Sequence, residues 1–169
     1  NMLAYTWRVL SGRPGRVLPR PDVVVGSTVH PLAAVAGLLL ARRYRVPFVF
    51  EVRDLWPETL IDMGRIPRNS LVARLMRILE RWLYANAAAI VTLLPRAADY
   101  IETLGIDRNK VVWIPNGADM ADFPPLPAPA GGDGMTLMYL GSLGQANGME
   151  AIVQAMARVK AAGGTGIRL

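Results

Sequence analysis

Short β-rich runs alternate with longer helical patterns along this chain, and no other feature of the sequence constrains the fold as strongly. The alternation is typical of βαβ units built around a parallel sheet. The predicted strands are Asp22–Gly26, Phe48–Val52, Ala89–Leu93, Val111–Ile114 and Met135–Leu140. The predicted helices are Leu32–Tyr44, Leu71–Ala87, Arg96–Leu104 and Met149–Ala162, after a partial helix near Leu3–Leu10. Several strands are almost continuously apolar, which favours an α/β fold with a Rossmann-like parallel sheet and helices on both faces.

The composition changes abruptly at residues 117–134, where eight of eighteen residues are Gly or Pro. Such a stretch sustains neither a helix nor a central strand, so we predict a linker. Residues 1–116 then form most of one Rossmann-like domain, and residues 135–169 form only the first βαβ unit of a second. That unit is too short to bury a core alone. We expect its apolar surface to be covered by the same piece of a second molecule, as a homodimer through Met135–Leu169, or else by the first domain.

Composition also excludes several function classes. The chain has no cysteine and one histidine, which removes the common zinc, iron–sulfur and thiol chemistries. The net charge is +6, but the arginines that produce it are scattered and no aromatic residues alternate with them, so nucleic-acid binding is not predicted. The longest apolar run, Leu32–Ala41, is about half the length needed to cross a bilayer, and the first residues do not resemble a signal peptide. We expect a soluble or surface-bound protein.

The first candidate site is the segment FVFEVRDLWPE, residues 48–58, in which a buried strand ends and polar residues follow. Ligands of open α/β sheets bind at the carboxyl ends of the strands. We predict Arg53, Asp54 and Glu58 as catalytic residues, with Asp54 handling a proton or an acceptor hydroxyl and Arg53 holding an anion or orienting that carboxylate. We place Glu51 near these residues, in the ligand-binding cleft expected at this edge of the sheet. The alternative is a structural plug in which Arg53 pairs with Asp54 and the Trp–Pro step fixes the loop.

The second candidate site is the segment LGSLGQANG, residues 140–148, a glycine-rich turn from a strand into a helix. Glycines let the backbone approach a ligand, and the free N–H groups of a helix start favour phosphate. The candidate donor-binding residues are Gly141, Ser142, Gly144 and Asn147. The segment is neither GxGxxG nor a Walker motif, so NAD and ATP find little support. Turns of this kind also occur in folds that bind nothing.

Two further residues follow strand ends. Asn116, in the turn IPNGAD, lies next to the predicted linker and therefore near the cleft. His30 follows the strand Asp22–Gly26, and we predict that it shares one edge of the sheet with Asp54. Each residue could instead have a purely structural role. Asn116 could form a sharp Asn-Gly turn, and His30 could be a hydrogen-bonded turn residue.

The helix Leu71–Ala87 carries Arg74, Arg77 and Arg81 opposite a wide apolar stripe. The stripe consists of Leu71, Leu75, Met76, Ile78, Leu79, Trp82 and Leu83. This pattern predicts a helix that covers the sheet, and it is also the pattern of a basic helix that rests on an anionic membrane. The two interpretations are compatible if one edge of the helix is exposed.

Three segments in chain order, FEVRDLWPE, VVWIPNGAD and MYLGSLGQANGMEAIVQA, resemble the group 1, family-four retaining glycosyltransferases of GT-B architecture, in particular those of bacterial capsule and lipopolysaccharide synthesis. The resemblance implies transfer of a sugar from a nucleoside-diphosphate sugar without an obligatory metal or other cofactor. It places Arg53 where the family often has His, and Ser142 and Asn147 where the family commonly has the Arg and Lys that bind the donor diphosphate. The family's acceptor loop and E-x7-E glutamates have no counterpart in residues 1–169.

The expectations drawn from this resemblance are specific. The expected partners are a nucleotide sugar and a lipid-linked or saccharide acceptor, to which the pattern of the helix Leu71–Ala87 adds an anionic membrane surface. The protein is expected in the bacterial cytoplasm or on the inner face of the membrane, and the chain is expected to be an internal piece that is inactive alone. A sugar-nucleotide epimerase of GT-B fold and a non-catalytic binding or assembly module are the alternatives.

Overall fold

The structure is a computed structural model that describes residues 2–12, 19–28, 30–122, 134–141, 143 and 147–169. The chain divides into two compact units, Asn1–Ala118 and Asp119–Leu169, which we call unit 1 and unit 2. None of the described helices is long and apolar enough to span a bilayer.

Unit 1 contains a four-stranded parallel sheet in the order β1-β2-β3-β4. Its strands are β1 (Val24–Ser27), β2 (Phe48–Val52), β3 (Ala89–Thr92) and β4 (Val111–Trp113). Its helices are α1 (Met2–Ser11), α2 (Pro31–Tyr44), α3 (Glu58–Asp62), α4 (Leu71–Asn86) and α5 (Ala97–Thr103). The predicted α/β class, a Rossmann-like parallel sheet flanked by helices, is confirmed.

The helix starts follow from local chemistry. Ser70 is the N-cap of α4, and its hydroxyl accepts a hydrogen bond from the Ala73 amide at 3.2 Å. Pro31 occupies the first helical position of α2, where its missing N–H costs nothing. The short helix α3 was not predicted, because its five residues carry too little periodicity to signal a helix.

The core lies on one face of the sheet. Phe48, Phe50 and Val52 are buried, whereas Val49 and Glu51, which alternate with them on β2, are half-buried. The ring of Phe50 lies 5.3 Å from that of Tyr84 on α4, and residues of α2 and α5 complete the cluster. This alternation shows that the helices bury mainly the Phe50 face of the strand.

Two glycines let α2 approach β1 closely. A Cβ added to Gly26 would lie 2.8 Å from the Phe48 ring and 3.2 Å from the Ala34 Cα, and one added to Gly37 would lie 3.1 Å from the Gly26 Cα. Only glycine fits this crossing without displacing the helix. The contact fixes the position of the end of β1, from which Thr28 and His30 follow.

The helix α4 presents a different face to the core than the sequence predicts. Its buried residues are Ala73, Glu80, Leu83 and Tyr84. Of the predicted core stripe, Leu83 is buried, but Leu71, Leu75 and Ile78 are exposed, so their assignment to a sheet-covering face is wrong. Small Ala73 and the hydrogen-bonded Glu80 occupy the inner face instead, because the helix packs against β2 and α2 on that side.

Unit 2 contains β5 (Met135–Thr136), α6 (Met149–Ala161) and β6 (Ile167–Arg168), and the two strands pair in parallel. The strand β5 is shorter than the predicted Met135–Leu140, because its ladder extends only over the two residues of β6. Gly148, with a φ of 62°, is the N-cap of α6, and no residue of α6 is buried.

Candidate functional site

The carboxyl ends of three strands of unit 1 meet at one edge of the sheet. The register pairs Ser27 with Glu51 and Val52 with Thr92. Thr28, Arg53, Asp54 and Leu93 follow these ends directly and line one open depression. His30 lies two residues beyond Thr28 at the same edge. The predicted common edge for His30 and Asp54 is therefore present in the structure.

Thr28 fixes the exit of β2. Its backbone N–H donates to the Glu51 carbonyl at 3.0 Å, and its hydroxyl donates to the same oxygen at 3.3 Å. The hydroxyl oxygen accepts a hydrogen bond from the Arg53 N–H at 2.9 Å. Thr28 is buried, so these bonds hold the backbone where the buried strand becomes the Arg53–Asp54 loop. Sequence reasoning missed this residue, although a hydroxyl directly after a strand was the available signal.

Arg53 and Asp54 are exposed at this edge. Among the described residues neither is in an ion pair, so the Arg53–Asp54 pair required by the plug interpretation is not observed. A carboxylate and a guanidinium side by side at a strand end can bind a hydroxyl and an anion, respectively. Their catalytic roles stay a prediction.

His30 is the N-cap of α2. Its Nδ1 accepts a hydrogen bond from the Ala33 N–H at 3.1 Å, so a proton on the neutral ring lies on Nε2. The ring meets Tyr5 of α1 edge to face, with centroids 5.8 Å apart. His30 therefore has the role of a hydrogen-bonded turn residue, which the sequence analysis gives as its alternative. A role for His30 in contacting a sugar acceptor stays a prediction.

Glu58 is held by two arginines. Its carboxylate accepts hydrogen bonds from Arg68 at 3.0 Å and from the Nε–H of Arg77 of α4 at 2.9 Å. These bonds occupy both carboxylate oxygens and fasten α3 to α4. A catalytic role for Glu58 stays a prediction, and the contacts that the structure gives it are ion pairs.

Glu80 is a buried carboxyl that the sequence analysis did not select. It accepts hydrogen bonds from the hydroxyls of Tyr84 and Tyr100, both at 2.9 Å. Burial raises the pKa of Glu80 to about 7, since the favourable effects of the two tyrosines and Arg77 only partly offset the loss of solvation. The signal in the sequence was its spacing, since Glu80 lies four residues after Met76 and three before Leu83, both of the predicted apolar stripe.

A narrow cavity connects Glu80 with the strand edge. It has a volume of about 10 Å³, which is about the least space that admits one water molecule, and its lining includes Thr28, Asp54, Trp56, Glu80 and Tyr84. The indole Nε1 of Trp56 is buried and has no hydrogen-bond partner among the described residues. The buried carboxyl and the exposed Asp54 therefore flank the same small space.

The remaining predicted residues are dispersed. The side chain of Glu51 is half-buried on β2, and Asn116 is exposed three residues after β4. In unit 2, Gly141 and Asn147 are exposed, while Ser142 and Gly144 lie outside the described residues. A Cβ added to Gly141 would lie 2.8 Å from the Tyr139 hydroxyl, so a larger residue at this position would displace Tyr139. The donor-binding assignment stays a prediction.

In the described part of the chain, no group of three or more His, Cys, Asp or Glu side chains is arranged to hold a metal ion.

The parallel sheet flanked by helices agrees with a sequence comparison. The family model of the glycosyl transferase 4-like domain matches residues 1–117. The chain belongs to this family, whose members are domains of glycosyltransferases of GT-B type.

A curated relative carries a related description. The chain is 26% identical over 149 residues to a protein of Pseudomonas aeruginosa described as "Probable glycosyltransferase WbjE". The match covers 83% of this chain and 37% of the relative, so the chain spans little more than a third of that protein's length.

Proposed function

We propose that the protein containing this chain transfers a sugar from a nucleoside-diphosphate sugar to a lipid-linked or saccharide acceptor, with retention of configuration and without a required metal or other cofactor. The transfer belongs to bacterial surface polysaccharide synthesis at the cytoplasmic side of the membrane. Membership of the glycosyl transferase 4-like family and the description of the relative from Pseudomonas aeruginosa support glycosyl transfer. The substrates rest on the resemblance of the motifs.

The observation that carries the proposal is the presence of Arg53 and Asp54 at the carboxyl edge of the sheet, where neither is in an ion pair with another described residue. A sugar acceptor is a hydroxyl, which requires a hydrogen-bond acceptor to orient it and to attract its proton during transfer. Asp54 supplies that group, and Arg53 supplies a charge for a phosphate on either substrate. Thr28 sets the backbone from which both side chains emerge.

In this proposal His30, Glu51 and Asn116 of unit 1 belong to the acceptor side, and unit 2 begins the donor side. The glycine-rich segment with Gly141, Ser142, Gly144 and Asn147 approaches the donor diphosphate through backbone N–H groups. Because the chain spans 37% of its relative, we expect residues 1–169 alone to bind donors weakly and to be inactive.

The test uses the whole protein that contains this chain. It is incubated with a panel of radiolabelled nucleoside-diphosphate sugars and a bacterial lipid extract, and label in the lipid or saccharide product is counted. We expect Asp54→Asn to lower the transfer rate by about 100-fold or more. Asp62→Asn, which changes an exposed carboxylate of α3, is the matched control and retains the rate.

Equal rates for Asp54→Asn and the parent protein would contradict the assignment of Asp54. Interconversion of the free sugar nucleotide without an acceptor would favour the epimerase. Donor binding without any product would favour the non-catalytic module.

A further inference from the structure

The chain has four tryptophans, and two of them are exposed. Trp7 lies on α1, and Trp113 is the last residue of β4, where it is 56% exposed. Trp56 and Trp82 are half-buried. Tryptophan is enriched at binding surfaces, because its large ring gains much apolar contact when a ligand covers it. The exposed indole of Trp113 lies at the end of a strand, on the edge of the sheet that carries the candidate site.

The sheet places Trp113 in line with the ends of β2 and β3. The register pairs Val52 with Thr92 and Thr92 with Trp113, so these residues form one row across the carboxyl edge. Adjacent strands lie about 4.8 Å apart, which puts the backbone of Trp113 roughly 10 Å from the end of β2. Arg53 and Asp54 follow that end directly. Trp113 therefore belongs to the same edge as the Arg53–Asp54 loop.

The indole of Trp113 is held in place although it is exposed. Its Nε1–H donates a hydrogen bond to the Leu93 carbonyl at 3.2 Å. The backbone beside it is fixed as well, since the Ile114 N–H donates to the Thr92 carbonyl at 2.8 Å. Leu93 is one of the residues that line the open depression at the candidate site. A ring that is fixed before a ligand arrives loses little conformational freedom on binding.

The groups along this edge match the two kinds of surface on a sugar ring, which has hydroxyls around its rim and apolar C–H faces. Asp54 and Arg53 can bind the polar rim by hydrogen bonds, and a flat indole packs against a C–H face. A lipid chain would cover the indole but would leave the carboxylate and the guanidinium without partners. The combination of groups therefore favours a saccharide.

We propose that the indole of Trp113 stacks against a sugar ring of the acceptor, while Asp54 binds the hydroxyl that receives the transferred sugar. This role of Trp113 rests on the proposed function and deepens it, because it narrows the acceptor to a molecule that already carries a sugar. An earlier glycosyl transfer must then supply that acceptor. A lipid phosphate without a sugar would leave the indole of Trp113 uncovered.

Steady-state kinetics of the whole protein that contains the chain test this role. The saccharide acceptor identified by the transfer assay is varied at a fixed donor concentration. Trp113→Ala should raise the acceptor KM about tenfold and change kcat by about twofold or less, since stacking holds the ring equally before and during transfer. Trp113→Phe should keep the KM within about threefold of the parent value, because a phenyl ring still stacks.

The phenylalanine variant separates stacking from the hydrogen bond. Trp113→Phe keeps an aromatic ring but lacks the N–H that bonds to the Leu93 carbonyl. An equal rise in KM for Trp113→Phe and Trp113→Ala would overturn the proposal, because the hydrogen bond alone would then explain the effect. Trp7→Ala, which removes an indole that is 72% exposed on α1, is the matched control and should leave KM and kcat unchanged. Circular dichroism of each variant checks folding.

Binding of simple sugars to the chain is a second readout, and it does not require transfer. Methyl glycosides of glucose, galactose and N-acetylglucosamine are titrated into the isotope-labelled chain, and the indole N–H signals are followed by NMR. The signal of Trp113 is assigned by its loss in Trp113→Phe. We expect this signal to shift with at least one methyl glycoside, while the signal of Trp7 stays in place. Uridine is the competing probe, because a nucleobase also stacks on an indole.

The outcomes separate this proposal from the proposed function. Transfer with an acceptor KM that Trp113→Ala does not change would overturn the role of Trp113 and leave glycosyl transfer standing. Transfer to a lipid phosphate that carries no sugar would overturn it as well. If no transfer occurs, the proposed function fails, and the titration still decides whether Trp113 binds a saccharide. A signal that moves with uridine alone, or with none of the probes, would overturn the saccharide assignment.

Discussion

Unit 1 and unit 2 are built from the same local pattern of strand, turn and helix, yet they differ in burial. In unit 1, β2, β3, α2 and α4 enclose a cluster in which Phe50, Leu83 and Ile90 are at most 1% exposed. In unit 2 no residue of α6 is buried, and Leu140 and Leu143 are at least 80% exposed. The comparison teaches that local sequence specifies the elements, whereas burial requires several strands side by side.

The largest expected effect compares one leucine in each unit. Leu83→Ala leaves a cavity in the core of unit 1 and should lower the free energy of unfolding by about 2–5 kcal/mol. Leu140→Ala, at a residue 87% exposed, should change it by about 0.5 kcal/mol or less. Urea unfolding followed by circular dichroism measures both. A similar loss for Leu140→Ala would show that unit 2 has a core of its own or a partner that covers it.

The second prediction concerns pH and the buried Glu80. Its pKa is raised from an ordinary 4.5 to about 7, so the folded state holds a proton that the unfolded state has released between these values. The stability from this group is complete below pH 4.5 and is lost as the pH rises through 7, by about 3 kcal/mol in total.

Glu80→Gln cannot ionise and removes this loss. The free energy of unfolding of the variant minus that of the parent chain should therefore increase between pH 5 and pH 8, by an amount on the order of 3 kcal/mol. Urea unfolding at both pH values measures the difference. Glu150→Gln on exposed α6 is the control, with changes of about 0.5 kcal/mol or less. A pH-independent effect of Glu80→Gln would contradict a buried, proton-holding carboxyl.

A smaller effect is expected at the edge of the candidate site. Thr28→Val keeps the volume of the side chain but leaves the Arg53 N–H without its acceptor, at a cost of about 1–3 kcal/mol. Thr136→Val, on the exposed β5 of unit 2, should be nearly neutral. Thermal unfolding of the two variants measures the difference. Equal midpoints would mean that the hydroxyl of Thr28 does not hold the loop.

The sequence predicted the elements better than the contacts between them. Its strand Phe48–Val52 agrees with β2 residue for residue, because a run of β-branched and aromatic residues bounded by Pro47 carries a local signal. The inner face of α4 was predicted incorrectly, since periodicity alone does not show which side of a broad apolar helix meets the sheet.

The candidate site shows the same division. Arg53 and Asp54 could be selected because polar residues after a buried strand mark the edge of the sheet. Thr28 and Glu80 were not selected, since their roles depend on partners distant in sequence: Arg53 lies 25 residues from Thr28, and Tyr100 lies 20 residues from Glu80. Such tertiary hydrogen bonds leave little trace in a local pattern.

The strand ends that carry Thr28, Arg53 and Asp54 are held in place within unit 1 by their own hydrogen bonds. In unit 2, by contrast, no residue of α6 is buried. Amide hydrogen exchange across the whole chain tests this contrast most directly. The account predicts that the amides of Thr28 and Arg53 exchange at least about tenfold more slowly than those of residues 152–159. Equal protection of α6, or exchange of the Arg53 amide at the rate of an open loop, would contradict the claim.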